Sequence, residues 1–394
     1  MTVSIWQADG AQLVREVDFL VVGAGIVGCT AALFAGQAGR SVVITEMRDV
    51  ALGASSRNAG FMITGLDVYY HRGIALYGHD AARDLWQLSL KTHNYWREFA
   101  AKAGGVRMDQ RGSMLLAESA EEAKELELVA RALNADGIEA IYHSSDPLHR
   151  GYYAAVEQPW DGAVQPVELA RSVLSLSGAE LIANNEVYKI EQSTPEVVTV
   201  STRQFIFKAR HVLLCTNAYS PSIASYFGDK VTPMRGQVMV TEPLPESVIP
   251  VCGYSDYGYM YYRMTFDNRL LIGGARNQAF DTENDTTDDR VTARVQGHLD
   301  DYLRRFFPEV TAKVDRRWAG IMGFSVDGVP LVGVLPDMPR VGFAVGFTGH
   351  GLATGAACRR TRCGSPAYRR APRRSVGRKV GKLGHRALYC MRKT

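Results

Sequence analysis

The first strong pattern along the chain is an apolar stretch, Val17 to Val22, that breaks at three closely spaced glycines and resumes as small and apolar residues from about Ile26 to Gln37. A second apolar run, Ser41 to Thr45, ends on Glu46. Strand-length runs on either side of a helix-length segment predict a βαβ unit over "VDFLVVGAGIVGCTAALFAGQAGRSVVITE". Farther on, Leu85, Leu88, Tyr95, Trp96 and Phe99 fall at roughly helical spacing and predict a helix over about Ala81 to Ala103. "SAEEAKELELVARALNADG" predicts another. Both apolar stripes read as core faces.

From Leu181 the periodicity changes. "EVYKIEQS", "EVVTVST", "QFIFKA" and "HVLLCTNAYS" alternate or run apolar in strand-length pieces, which predicts a meander returning to the first sheet. "MRGQVMVTEP", "YGYMYYRMT" and "RLLIGGAR" predict longer antiparallel strands, the middle one rich in tyrosine. A helix over "DRVTARVQGHLDDYLRRFF" stops at Pro308. The pattern is an α/β (α+β) chain with no repeat or low-complexity linker before its last segment.

Composition narrows this picture. With 394 residues, 46 % of them hydrophobic, the chain can bury a large core shared by two domains. The apolar run near the start contains Asp18 and glycines and lacks a basic flank, which argues against a signal peptide or membrane span and places the protein in the cytoplasm. Cys29, Cys215 and Cys252 form no CxxC or CxxH pair and read as reduced, buried thiols, so no metal is expected.

The net charge of +4 conceals a split. Residues 358–394 hold thirteen of the 45 Lys and Arg and none of the 41 Asp and Glu, so the rest of the chain is acidic, at −9. A basic tail can bind anions, but this one has no amphipathic stripe and no nucleic-acid motif, and no nucleic-acid partner is expected. Its abrupt change of composition, with Pro366 and Pro372 interrupting a helical start, reads better as a change of reading frame near Ala357, which predicts a disordered tail.

Gly23, Gly25 and Gly28 form GxGxxG between strand and helix. Gly23 permits the turn, Gly25 lets backbone approach a pyrophosphate, and Gly28 lets helix and strand pack closely; Ile26 and Val27 then present helix N-terminal N–H groups to phosphate. Glu46, about 20 residues on, is placed to accept from ribose hydroxyls. This much does not separate NAD from FAD. "GASSRNAGF" follows, with small residues that admit a ligand close to backbone, Arg57 offering charge and Asn58 bonding in either direction.

Together with "RGQVMVTEPL", "YYRMTFDNRLLIGGAR", "WAGIMGFSVDGVPLVG" and "VGFAVGFTGHGLATG", these stretches resemble the FAD-dependent amine and amino-acid oxidoreductases, the superfamily of D-amino acid oxidase, glycine oxidase and sarcosine oxidase. The resemblance spans Val17 to Gly355. It implies a Rossmann-type FAD-binding domain (1–85, 150–230, 315–357) interleaved with a substrate domain (86–149, 231–314) built on a mixed, largely antiparallel sheet. It implies that Gly23, Gly25, Gly28 and Glu46 hold the ADP half of FAD, and that Ser55, Ser56, Arg57, Asn58 and Gly60 run toward the flavin. Val187 would meet the adenine, Thr216 and Asn217 the crossing loop, and Gly320 and Met322 the flavin. The turn at Gly349, His350 and Gly351 would face the pyrimidine edge with backbone N–H groups, His350 itself being structural.

The chemistry so implied is hydride transfer from a carbon beside nitrogen to flavin N5, giving an imine that water hydrolyses. Where glycine oxidase and D-amino acid oxidase carry a carboxylate-binding Arg, this chain has Met322; where sarcosine oxidases carry a covalent Cys and an oxygen-activating Lys, it has no Cys and Leu271. Noncovalent FAD is therefore implied, with oxygen or another acceptor left open. The arginine-free segment is most similar to the γ-glutamylputrescine oxidoreductase branch, with glycine or D-amino acid oxidation as the alternative and an inactive flavoprotein as a third reading, given the C-terminus. Tyr257, Tyr259, Tyr261 and Tyr262 are candidates for a cage around a substrate amine, although alternation along a strand allows at most half of them into one pocket. Arg263 is the candidate to hold a substrate carboxylate.

Overall fold

A computed structural model describes residues 13–356; the basic segment, with the expectations of a frame change, disorder and inactivity attached to it, lies outside the described residues. The strand Leu13–Val22 is the centre of the first sheet. It runs parallel to Val42–Thr45 on one side and to Phe205–Leu214 on the other, with Val21 opposite Ile44 and Leu213. Glu180–Ile182 extends the sheet beyond Val42–Thr45 in the same sense. Beyond Phe205–Leu214 the sheet divides: Val198–Thr202 and Val187–Gln192 pair antiparallel as a meander, and Met338–Val345 pairs parallel with Val212–Leu214. The stretch read from sequence as two strands, "QFIFKA" and "HVLL", is one strand of ten residues, because it pairs with Leu13–Val22 from Phe205 to Leu214 even though the burial alternation changes phase after Arg210.

The second sheet has eight strands in the order Val314–Ser325, Val231–Thr241, Leu270–Gly274, Met260–Met264, Cys252–Ser255, Ser113–Leu116, Ala155–Gln158 and Ile141–His143. Only the Cys252–Ser255 and Ser113–Leu116 pair is parallel. Ala155–Gln158 and Val314–Ser325, which the sequence division assigns to the FAD-binding part, hydrogen-bond within this second sheet. Helix Ala293–Phe306 covers one face, where Val295, Leu299 and Phe306 share a core with Met239, Tyr262 and Ile272. On the opposite face Val238, Val240, Cys252 and Leu271 pack with Phe61 and Ala163 of a small three-stranded sheet formed by Phe61–Met62, Gly162–Val164 and Met108–Asp109.

Helix ends follow the chemistry of their sequences. Ser119 accepts the N–H of Glu122 at the start of Ala120–Ala135, and Gln165 accepts those of Val167 and Glu168 ahead of Pro166–Ser177. The helix expected over Ala81 to Ala103 is observed as His79–Ala103, and a shorter one, Tyr70–Tyr77, precedes it across Gly78. No helix among the described residues is long and apolar enough to cross a membrane.

Candidate active site

A cleft of about 300 Å³ runs between the two sheets. Its near end is built by the glycine turn. Gly23 has φ of +104°, a conformation glycine adopts without strain. A Cβ on Gly28 would lie 1.9 Å from the carbonyl oxygen of Gly23, so only glycine lets the helix Ile26–Gln37 rise directly from the strand. Gly28 thereby shapes the turn from behind, while Gly23, Gly25, Ile26 and Val27 line the cleft. The first turn of that helix has no intrahelical acceptors for its N–H groups and brings a positive dipole end with it.

Glu46 closes this end. One carboxylate oxygen accepts the N–H of Ala24 at 2.8 Å and the other that of Arg48 at 2.9 Å. The side chain is thus fixed by backbone, and each oxygen keeps a lone pair for a hydroxyl of a ligand. Val187 lines the wall beside it.

The second loop forms one short helical turn, Ala54–Arg57. Ser55 Oγ accepts the N–H of Ile26 at 2.9 Å. Arg57 lines the cleft, donates to the Ala319 carbonyl at 2.8 Å and pairs with Asp289 at 2.6 Å. Asp289 belongs to a loop held to the second sheet by the buried, two-bonded pair of Arg235 with Glu283. Asn58 lines the cleft, and its amide donates to the Ala54 and Ser55 carbonyls and accepts the Gly60 N–H, which orders the turn. Two residues of this loop differ from the sequence reading. Ser56 and Gly60 are not on the cleft wall; a Cβ on Gly60 would lie 2.4 Å from the Val164 carbonyl oxygen.

Thr216, Asn217, Gly320, Met322, Gly349, His350 and Gly351 all line the cleft. Asn217 has φ of +42° and its Oδ1 accepts the N–H groups of Gly346 and Phe347, which fastens the crossing loop to the C-terminal turn. His350 bonds through Nδ1 to the Thr348 carbonyl at 3.0 Å, in keeping with a positioning role.

The far end of the cleft is aromatic. Tyr261 points into it with Tyr254 beside it, ring centroids 5.8 Å apart, and burial pushes the Tyr261 hydroxyl up to about 12. The neighbouring Tyr262 faces the opposite way and is wholly buried against helix Ala293–Phe306. Tyr257 and Tyr259 are not on the wall of the main cleft: Tyr257 borders a smaller side pocket, and the ring of Tyr259 lies beneath the Arg276 guanidinium at 4.7 Å. Of the four candidate tyrosines only Tyr261 lines the main cleft, together with Tyr254, which the sequence reading missed.

Arg263 does not serve the cleft. It is 4 % exposed and donates to the carbonyls of Ala59, Met264 and Val164, and burial lowers its pKa to about 10. Its strand position points it behind the loop, where it ties the second sheet to the loop at Ala59 and to Val164 of the short strand Gly162–Val164. The arginine at the far end is Arg276, which stands within 3.4 Å of Asp67. It ends the "RLLIGGAR" stretch, where a charge two residues past a pair of glycines that close a buried strand was the available signal. Leu271, at the place of the expected lysine, packs with Ala59, Phe61 and Ile63.

The elongated cleft has a helix N-terminus and a ribose-ready carboxylate at one end and a buried aromatic chamber at the other. That shape fits a dinucleotide whose redox ring lies well beyond its phosphates, and it defines a flavoprotein oxidoreductase. The family model described as FAD dependent oxidoreductase (DAO) matches residues 18–361, and the chain belongs to that family, whose cofactor is FAD. It is 29 % identical over 375 residues to the gamma-glutamylputrescine oxidoreductase of Escherichia coli, covering 85 % of this chain and 80 % of that one. It is 27 % identical over 387 residues to the probable oxidoreductase OrdL of Haemophilus influenzae, covering 88 % and 82 %. Among solved structures, the glycine oxidase of Geobacillus kaustophilus matches with a TM-score of 0.77 at 21 % identity, over 88 % of this chain and 93 % of that one. This last likeness confirms the mixed α/β fold expected from the sequence.

Proposed function

We propose that this FAD-dependent oxidoreductase oxidises a C–N bond of a small amine, a reading supported by its similarity to a gamma-glutamylputrescine oxidoreductase, rather than the α-carbon of a simple amino acid. The observation that carries the reading is Met322, a thioether projecting into the cleft from strand Val314–Ser325, with a Cβ on Gly349 falling 3.7 Å from its Sδ. No guanidinium stands at that point of the strand to hold a carboxylate beside the reacting carbon.

Bound FAD supplies the two-electron acceptor for this chemistry. The protein's own residues do the rest. Gly23, Gly25 and the first turn of helix Ile26–Gln37 would hold the pyrophosphate, and Glu46 the ribose. Tyr261, Tyr254, Met322 and Phe324 enclose the substrate carbon in an apolar chamber that excludes water. The stretch 314–333 contains no cysteine, which favours a noncovalent cofactor. The released imine would hydrolyse in solvent.

The test is anaerobic bleaching of the flavin by putrescine and its γ-glutamyl amide, compared with glycine, sarcosine and D-alanine. Faster bleaching by the first pair supports the reading. Preference for the amino acids would replace it with an amino-acid oxidase or dehydrogenase.

A further inference from the structure

Three arginines among the described residues line the cleft, and two of them, Arg48 and Arg57, are held by a single atom. Asp289 Oδ2 stands 2.6 Å from Nη1 of Arg57 and 3.5 Å from Nη1 of Arg48. Arg48 Nε is buried without a partner, so little else fixes that guanidinium. Asp289 lies outside the wall, on the segment 284–290, which hangs from the second sheet. Asn284 bridges to Met234, the Thr286 N–H donates to the Pro233 carbonyl at 3.3 Å, and Arg235 Nη1 donates to the Asp288 carbonyl at 3.1 Å. With Arg235 and Glu283 both buried, this attachment is the fixed end. Arg48 and Arg57 belong instead to the loops that follow strand Val42–Thr45 of the first sheet. The Asp289 carboxylate therefore joins the two halves of the molecule along the edge of the cleft. Its own contacts are the loose end: the three side chains are each about a third exposed, and exposed ion pairs are individually weak. Met47 and Leu52, on the same stretch of wall, are exposed as well, which marks this edge as the place where the cleft meets solvent.

We infer that Asp289 is a latch on the cofactor cleft: it lets go of Arg48 and Arg57 for FAD to enter or leave, and holds them when the cleft is closed. Asp289 is thus a positioning residue for cofactor retention that touches no reacting atom. A latch has a kinetic signature of its own. Removing a negative charge beside the path of an anionic pyrophosphate speeds entry and slows release. Loss of a structural support slows entry and speeds release. Opening a latch speeds both. The inference concerns exchange of the cofactor and does not depend on which amine is oxidised.

The experiment measures both rates on the full-length protein. Entry is followed by quenching of FAD fluorescence on mixing with apoprotein, and release by its recovery when the FAD-loaded protein is diluted. Asp289→Asn should raise both rates by about threefold to tenfold, the scale of two partly exposed ion pairs. Asp289→Glu, which keeps the carboxylate, should stay close to the unaltered protein. Asp281→Asn removes a carboxylate whose exposed pair with Arg294 spans 3.0 Å and should change neither rate. Salt screens pairs at the surface, so raising it should speed release from the unaltered protein and leave Asp289→Asn nearly unaffected; the first of these measurements needs no variant and stands if Asp289→Asn does not fold. Rates that shift in opposite directions in Asp289→Asn, rates that do not change, an equal effect of Asp281→Asn, or release from the unaltered protein that is indifferent to salt overturns the inference.

Discussion

Ser55 Oγ accepts the backbone N–H of Ile26 at 2.9 Å, joining two segments that lie 29 positions apart in the chain. The glycine turn and the loop after it are therefore one cradle. A Cβ on Gly25 would lie 3.0 Å from the same oxygen, so the cradle is closed tightly enough to register a single methyl group.

Removing this tie with Ser55→Ala leaves the Ile26 N–H without its acceptor, a loss of about 1 kcal/mol. FAD should bind roughly fivefold to tenfold more weakly, with the fold intact, when apoprotein is titrated with FAD and quenching of its fluorescence is followed. Unchanged affinity would detach the loop from cofactor binding.

Glu46→Gln replaces one of two acceptor oxygens by an N–H₂ group facing a backbone N–H, of Ala24 or of Arg48. A mispaired donor of this sort costs about 1–3 kcal/mol. The expected outcome is FAD affinity lower by roughly one to two orders of magnitude in the same titration. Retention of full affinity would show that the carboxylate only shapes the turn.

Gly320 tests the opposite wall. A Cβ there would stand 2.7 Å from Cβ of Arg57, on a residue whose guanidinium pairs with Asp289 at 2.6 Å. Gly320→Ala should displace the Arg57 loop at a cost of about 1–3 kcal/mol, seen as a lower Tm and weaker FAD retention through gel filtration. A variant with normal Tm and normal flavin content would mean that the loop yields freely.

Arg263 should act on stability and not on the substrate. Arg263→Met strands the carbonyls of Ala59, Met264 and Val164, so stability should fall by about 1–3 kcal/mol in chemical denaturation, while KM of the folded enzyme stays unchanged. A raised KM at unaltered stability would return Arg263 to the substrate.

Much of the near end of the cleft was legible because its requirements are local. Gly23, Gly25, Gly28 and Glu46 are spaced by a single βαβ unit, and periodicity alone places that unit. The far end was not, because it is assembled from separate strands whose facing depends on register. Tyr261 and Tyr262 are adjacent in sequence yet serve different cores, and Arg263 points behind the loop at Ala59 whereas Arg276, past the strand end at Gly274, reaches the cleft wall. Asn58 reads as a ligand for the same reason that it is a good turn former: its amide bonds in both directions. Helix Pro166–Ser177 escaped the sequence reading, although Gln165 and Pro166 mark its start.

Glu122 supplies a pH prediction. It is buried beside the cleft's side pocket, bonded by the Tyr69 hydroxyl and by the N–H groups of Tyr257 and Glu118, with the Asp256 carboxylate also near; burial is the largest cause that pushes its pKa up from 4.5 to about 7. The folded state therefore holds this proton more tightly than the unfolded chain. That contribution is fully present below pH 4.5 and is lost as pH rises through about 7. Relative to Glu122→Gln, the unaltered protein should lose up to about 3 kcal/mol of stability between pH 5 and pH 8. Denaturation curves that stay parallel over this interval would contradict the assignment.

The central claim is that this cleft holds FAD for amine oxidation, and the visible absorption spectrum of the purified full-length protein tests it most directly. The account predicts a flavin band that survives desalting and bleaches when a small amine is added without oxygen. A protein that shows no flavin band, even after incubation with excess FAD, would contradict it.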